Sequence, residues 1–160
     1  MDFLTNYLDT TFSAVPAYEA FIRILSATLL GGVIGFERER QEKPAGLRTH
    51  ILVSVAACLF VILGQELAAL EYGNGEDVKR VDPLRMIEAV TAGVAFLAAG
   101  LIFTANGRVQ NVTTGTSLWL AGAVGLGCGA GQMALAAMAT AVVVCVLWIL
   151  RLVEKYMGTH

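Results

Sequence analysis

The sequence predicts an all-α integral membrane bundle of about five transmembrane helices, the fourth of them short, preceded by an interfacial amphipathic helix. Three observations carry this. Hydrophobic residues make up 56% of the chain and charged residues only 15%, against about 25% in soluble domains. The mean hydropathy is +0.67. The charges are clustered, and long neutral runs separate the clusters.

The N-terminal segment, residues 1–16, repeats Phe3, Leu4, Tyr7, Leu8, Phe12 and Val15 at helical spacing, with Asp2, Thr5, Asn6, Asp9 and Ser13 on the other face. Pro16 ends the pattern. Such a helix lies in the membrane interface or packs on the outer rim of the bundle. A bilayer core of about 30 Å takes about 20 helical residues. Ala20 to Phe36 supplies a first span, interrupted by Arg23. Ile51 to Leu70 supplies a second, with Gln65 and Glu66 near its end. Ala89 to Asn106 is uncharged and supplies a third. Asp82 and Pro83 suit the N-cap and first turn of that helix. Val109 to Leu150 is uncharged throughout. As one helix it would extend about 63 Å, twice a bilayer, so it must turn. The expected turn is GLGCGAGQ at 125–132, which leaves spans near 113–127 and 131–152. Residues 17–157 thus form one transmembrane domain.

Basic residues set the orientation. Arg38, Arg40, Lys43 and Arg48 fall in the 37–50 loop, Arg108 in the 104–112 loop, and Arg151 and Lys155 in the tail. Five spans put all three on one side, which predicts the N-terminus outside and the C-terminus in the cytoplasm. The first twenty residues contain no Lys or Arg, so no cleaved leader is expected. With a net charge of −2 and no basic stripe, nucleic acid is not an expected partner. Cys58, Cys128 and Cys145 form no CxxC pair and read as small hydrophobes. No nucleophile–base pair and no metal-ligand spacing appears, so neither an enzyme nor a cofactor is expected.

Ionisable groups within a membrane are functional candidates. Here they sort by depth. Arg23, Glu66, Asp82, Arg85 and Glu88 fall at the outer ends of the spans. Glu37, Arg38, Glu39, Arg48, Thr49 and His50 fall at the inner ends. The middle holds only weak polar groups such as Ser26, Thr28, Ser54, Cys58 and Thr91. Transporters usually place coupling groups near the midplane, so this sorting counts against a proton-coupled carrier. Arg23 admits two readings: an ion or ligand contact, or a side chain paired with Glu66 or Glu88 or snorkelling to the interface. Gly31 and Gly35 make a GxxxG step, as do Gly125/Gly129 and Gly127/Gly131. Such steps let helices approach closely within one chain or between the copies of a homodimer.

The densest charge lies in Glu37 to His50, with three acids, four bases and a histidine in fourteen residues. Glu39 and Lys43 stand at i,i+4. Pro44 and Gly46 turn the chain back, so the first two spans form a tight hairpin with Glu37 and Arg38 close to Arg48 and His50. Taken by itself, this is a topology anchor with self-satisfying ion pairs. The wider stretch resembles the signature of the MgtC/SapB family of bacterial inner-membrane proteins. The matching residues are Arg23, then Leu30 to Glu39 (LGGVIGFERE), then Pro44 to His50 (PAGLRTH). Asp82-Pro83 before Gly93, Phe96-Leu97 and Gly100 is a second match. Thr113-Thr114 with Leu118-Trp119 is a third. Ala95 and Ala98 stand where the family pattern has glycine. Asn111 replaces a glycine before the threonine pair, and Gly115 an alanine after it. Thr113 and Thr114 either back-bond within their helix or reach a neighbouring one.

The resemblance covers about residues 20 to 150. It implies a bacterial inner-membrane protein connected with adaptation to low magnesium and, in pathogens, with virulence. The implied mechanism is regulation of other membrane proteins, with the proton-translocating ATP synthase as the named candidate. The alternative is an oligomeric conduit for Mg²⁺ or another small ion. The virulence-associated members carry a soluble cytoplasmic domain after the membrane part. With the sequence stopping at His160, any activity of that domain is not expected here.

Overall fold

The computed structural model describes residues 12–69 and 82–157. Among these residues five helices follow one another: α1 (Ala17–Glu39), α2 (Leu47–Ala69), α3 (Pro83–Leu101), α4 (Val112–Gly129) and α5 (Met133–Met157). Four of them, α1, α2, α3 and residues 133–153 of α5, are long and apolar enough to cross a membrane. They expose many large apolar side chains, among them Phe21, Leu52, Phe96 and Val142. A soluble protein seldom leaves so broad an apolar surface in water; lipid is the solvent that suits it. The chain is an all-α integral membrane protein.

The exception is α4. It packs against all four other helices and buries ten of its 18 residues, including Thr114, Ser117, Leu118, Gly122, Gly125 and Gly129. A helix with more than half of its residues buried against protein need not match the apolarity of lipid tails along its whole surface. Its glycines and hydroxyls serve contact with its neighbours instead. The turn expected over 125–132 is therefore shorter than the sequence indicated. It comprises 130–132, where Gly131 has φ +77° and its amide donates to Cys128 O. Gly125, Gly127 and Gly129 belong to the helix.

The third span also stops earlier than predicted. Helix α3 ends at Leu101, and residues 103–110 form an antiparallel hairpin of β1 (Phe103–Ala105) and β2 (Arg108–Gln110). Asn106 and Gly107 make its turn, both at positive φ, which is the strongest short hairpin signal. Asn111, the residue before α4, adopts φ 62°. Asparagine tolerates this left-handed region better than most residues, which accounts for its standing where the resemblance has glycine.

At the start of α3 the Asp82 carboxylate accepts from Leu84 N at 2.9 Å and Pro83 opens the first turn, as expected. The amphipathic helix expected over 1–16 lies outside the described residues up to Thr11, and residues 12–16 are not helical. Residues 70–81 also lie outside the described residues. The core runs along α1, α2 and α4 through Ala27, Ile34, Cys58, Ile62, Val124 and Cys128. Cys145, by contrast, is exposed on α5.

Candidate functional site: polar clusters at both ends of the bundle

Alternating helix directions put the beginning of α1, the ends of α2 and α4 and the beginning of α3 at one end. The opposite end holds the close of α1, the start of α2, the hairpin and the start of α4. A polar cluster occupies each.

At the first end, Arg23 is 9% exposed. Its Nη2 meets Glu19 Oε1 at 2.6 Å, one helical turn earlier. Its Nη1 donates to Gln65 Oε1 at 2.9 Å and to Gly129 O at 2.6 Å. The guanidinium thus joins α1, α2 and the last turn of α4, where a cation also complements the helix dipole. It pairs with neither Glu66 nor Glu88. Glu66 is engaged elsewhere: its carboxylate accepts from Ser13 N, Ser13 Oγ, Ala14 N and Val15 N at 2.8–3.1 Å. It ties the segment before α1 to the end of α2 and seats Val15, 3% exposed, in the core. Arg85 and Glu88 are exposed on α3 and form no ion pair among the described residues.

At the second end, Arg38 is 2% exposed. Its Nε and Nη2 both meet Glu37 Oε2, at 2.6 and 2.5 Å, and Gln41 donates to the other oxygen of Glu37. Glu39 does not pair with Lys43 as the i,i+4 spacing indicated. Its Oε2 accepts from Leu47 N at 2.7 Å, satisfying the first free amide of α2. A Cβ on Gly46 would lie 2.6 Å from that oxygen, so Gly46 makes room for the carboxylate.

His50 is fully buried. Its Nδ1–H donates to Gly46 O at 2.8 Å, since a carbonyl can only accept. Its Nε2 lies 3.1 Å from Ser117 Oγ on α4, and that hydroxyl also reaches Thr114 O at 2.9 Å. Arg48 is exposed and Thr49 half-buried. Neither forms a hydrogen bond or ion pair among the described residues, so the second-end cluster divides. Glu37, Arg38, Glu39 and His50 hold the structure, whereas Arg48 points its charge outward.

The glycines divide in the same way. A Cβ on Gly31 would meet Ser54 Cβ at 2.7 Å, and one on Gly35 would meet Leu47 Cα at 2.8 Å. These two positions close α1 onto α2. Gly125 and Gly129 close α4 onto α2 at Ser54 and Cys58. Two of the three GxxxG steps, Gly31/Gly35 and Gly125/Gly129, are thus occupied within the chain. A Cβ on Gly93 or Gly100 would meet nothing within 4 Å among the described residues.

Sequence reasoning missed Glu19, Gln65 and Gly129 around Arg23, and Ser117 beside His50. Glu19 was legible, standing four residues before Arg23 in the order that favours an acid–base pair on a helix. The others lie 42 to 106 residues away, where no local pattern links them.

With the clusters placed, comparison with known proteins decides the family. The MgtC family model matches residues 24–156. The chain belongs to the MgtC family. It is 39% identical over 128 residues to the protein MgtC of Brucella abortus (strain 2308), covering 80% of this chain and 50% of that protein. It is 35% identical over 118 residues to an Escherichia coli (strain K12) protein named putative magnesium transporter YhiD, covering 71% and 52%. The protein MgtC of Salmonella typhimurium (strain 14028s / SGSC 2262) is 32% identical over 130 residues, covering 81% and 52%. The chain spans about half the length of these MgtC-family relatives. No solved structure matches it significantly. The MgtC match begins just after Arg23 and takes in the second-end cluster, the hairpin and all of α4.

Proposed function

We propose that this MgtC-family chain serves magnesium homeostasis from the bacterial inner membrane, and that it does so by contacting other membrane proteins. The N-terminus is outside and the C-terminus in the cytoplasm, which puts the Arg38 cluster on the cytoplasmic face. The observation that carries the reading is the neutral, closely packed middle of the bundle. Ser54 Oγ donates to Ala27 O, Thr28 Oγ1 to Ile24 O and Thr140 Oγ1 to Ala136 O. Each of these hydroxyls is engaged by backbone. Mg²⁺ seeks carboxylates and retained waters, and the carboxylates lie at the ends. Charges held at both boundaries around a neutral waist suit a protein that binds partners.

The ATP synthase is the candidate partner on the family resemblance, and the exposed Arg48 is the charge best placed to meet one. A homodimer would use the faces of α3 and α5. The test couples growth at low magnesium with capture in mild detergent. Arg48→Ala, which removes no internal bond, is expected to weaken both. Unchanged growth, with only self-association recovered, would overturn the reading.

The name of the Escherichia coli relative, putative magnesium transporter YhiD, favours a second reading, an oligomeric conduit for Mg²⁺. A cavity of about 460 Å³ at the first end, lined in part by Gln65, Thr91 and Gln132, would be its entrance. Flux into liposomes separates the two: clear Mg²⁺ uptake supports the conduit, and none supports the regulator.

A further inference from the structure

We propose that the groove between α1 and α5 at the Arg38 end is a binding site for an anionic phospholipid. The groove has a volume of about 560 Å³ and a mostly apolar lining that includes Leu29, Gly32, Val33, Val144 and Trp148. It extends along α1 from Thr28 to Glu37. Nine residue rises at 1.5 Å give about 14 Å, close to half of a 30 Å hydrocarbon core. That length accommodates an acyl chain of one leaflet.

The rim is charged. Arg40 follows the end of α1, with its guanidinium 5.8 Å from the Phe36 ring centroid, a position that a cation–π contact favours. Arg151 on α5 lines the same groove. Among the described residues, the one carboxylate lining the groove belongs to Glu37, whose oxygens are already taken by Arg38 and Gln41. Two exposed guanidiniums therefore face the headgroup layer beside an acid whose charge is locally neutralised. Basic pockets between transmembrane helices select anionic headgroups in this way. A neutral lipid would fill the walls equally well but leave the rim without its counter-charge. A protein helix would need an acid of its own at this depth.

The chain has two tryptophans, Trp119 and Trp148, and only Trp148 lines this groove. In a Trp119→Phe background, the fluorescence of Trp148, which lines the groove and is 58% exposed, reports on the lipid in and beside the groove. The chain is reconstituted in vesicles of phosphatidylglycerol and phosphatidylcholine, with one or the other carrying brominated acyl chains as quencher. Brominated phosphatidylglycerol is expected to occupy the groove in preference to brominated phosphatidylcholine by at least about five-fold, the factor one basic side chain contributes near an anionic surface. The Arg40→Ala/Arg151→Ala pair should bring the preference close to one. Arg48→Ala, an exposed arginine at the same end but outside the groove, should leave it at the parent value. Equal quenching by both lipids in the parent chain overturns the proposal, as does an equal fall in preference for Arg48→Ala and the double variant. Protection of Trp148 from both quenchers overturns it too, since a second copy or another helix would then fill the groove.

Discussion

Gly125 of α4 lies so close to Ser54 of α2 that a Cβ at 125 would overlap the Ser54 carbonyl oxygen. The same serine supports α1, because its hydroxyl donates to Ala27 O at 2.9 Å and its Cβ faces Gly31. Three helices therefore converge on a single residue near mid-membrane. Dispersion and close approach replace the hydrophobic effect there, as they must between helices in lipid.

Gly125→Ala is expected to destabilise the bundle by about 3 kcal/mol, the upper range for overpacking. The obstructing atom is backbone and cannot rotate away. Gly93→Ala and Gly100→Ala, which meet open space, are expected to stay within about 0.5 kcal/mol of the parent. Thermal unfolding of the three variants in one detergent checks the contrast. Equal melting temperatures would mean that α4 is not seated as described.

Arg23 links three helices, and its removal leaves Glu19 without its cation and Gly129 O without its donor. Arg23→Ala is expected to cost about 3 kcal/mol, the lower end for breaking a buried pair, because Glu19 keeps 36% of its side chain exposed. Arg23→Lys should recover only part, since an ammonium cannot span Glu19, Gln65 and Gly129 as the planar fork does. A melting series in detergent decides it. Full recovery by lysine would reduce the role of Arg23 to charge alone.

The helices were legible because lipid demands long neutral runs, and the loops because charge cannot remain inside them. The PAG turn and the Asp82-Pro83 start were legible from local chemistry. The short length expected of α4 came from assigning its glycines to a turn. Gly125 and Gly129 have the same composition signal whether they bend a chain or admit a neighbouring backbone, and only the position of α2 decides between them. The hairpin was hidden by the opposite effect. Asn106-Gly107 is an explicit turn signal, yet Ile102 to Ala105 continue the apolar run of α3, and apolarity alone extended the helix. For the polar clusters, sequence located Arg23 and His50 at the right depth but not their partners, which come from distant helices.

Glu66 gathers four donors from Ser13, Ala14 and Val15 onto one carboxylate. Charged hydrogen bonds contribute about 1.5–3 kcal/mol each at most, and solvent at this edge reduces that. Glu66→Ala is expected to release the segment before α1 and leave the helices intact. Amide exchange at Ser13 to Val15 should accelerate ten-fold or more while exchange in α2 and α4 is unchanged. Uniform acceleration throughout the bundle would show that Glu66 supports the whole fold.

Glu39 and Gly46 act as one device at the α1–α2 turn. The carboxylate satisfies Leu47 N, and the missing Cβ leaves it room. Glu39→Ala removes a helix cap and is expected to cost about 1 kcal/mol. Gly46→Ala pushes the carboxylate aside and is expected to cost a similar amount through the same lost bond. Because both substitutions remove one interaction, the double variant should cost less than the sum of the singles, with a coupling of about 0.5 kcal/mol or more. Denaturation of the four chains of this cycle measures it. Strict additivity would separate the two residues and leave Gly46 with a backbone role of its own, independent of the acid beside it.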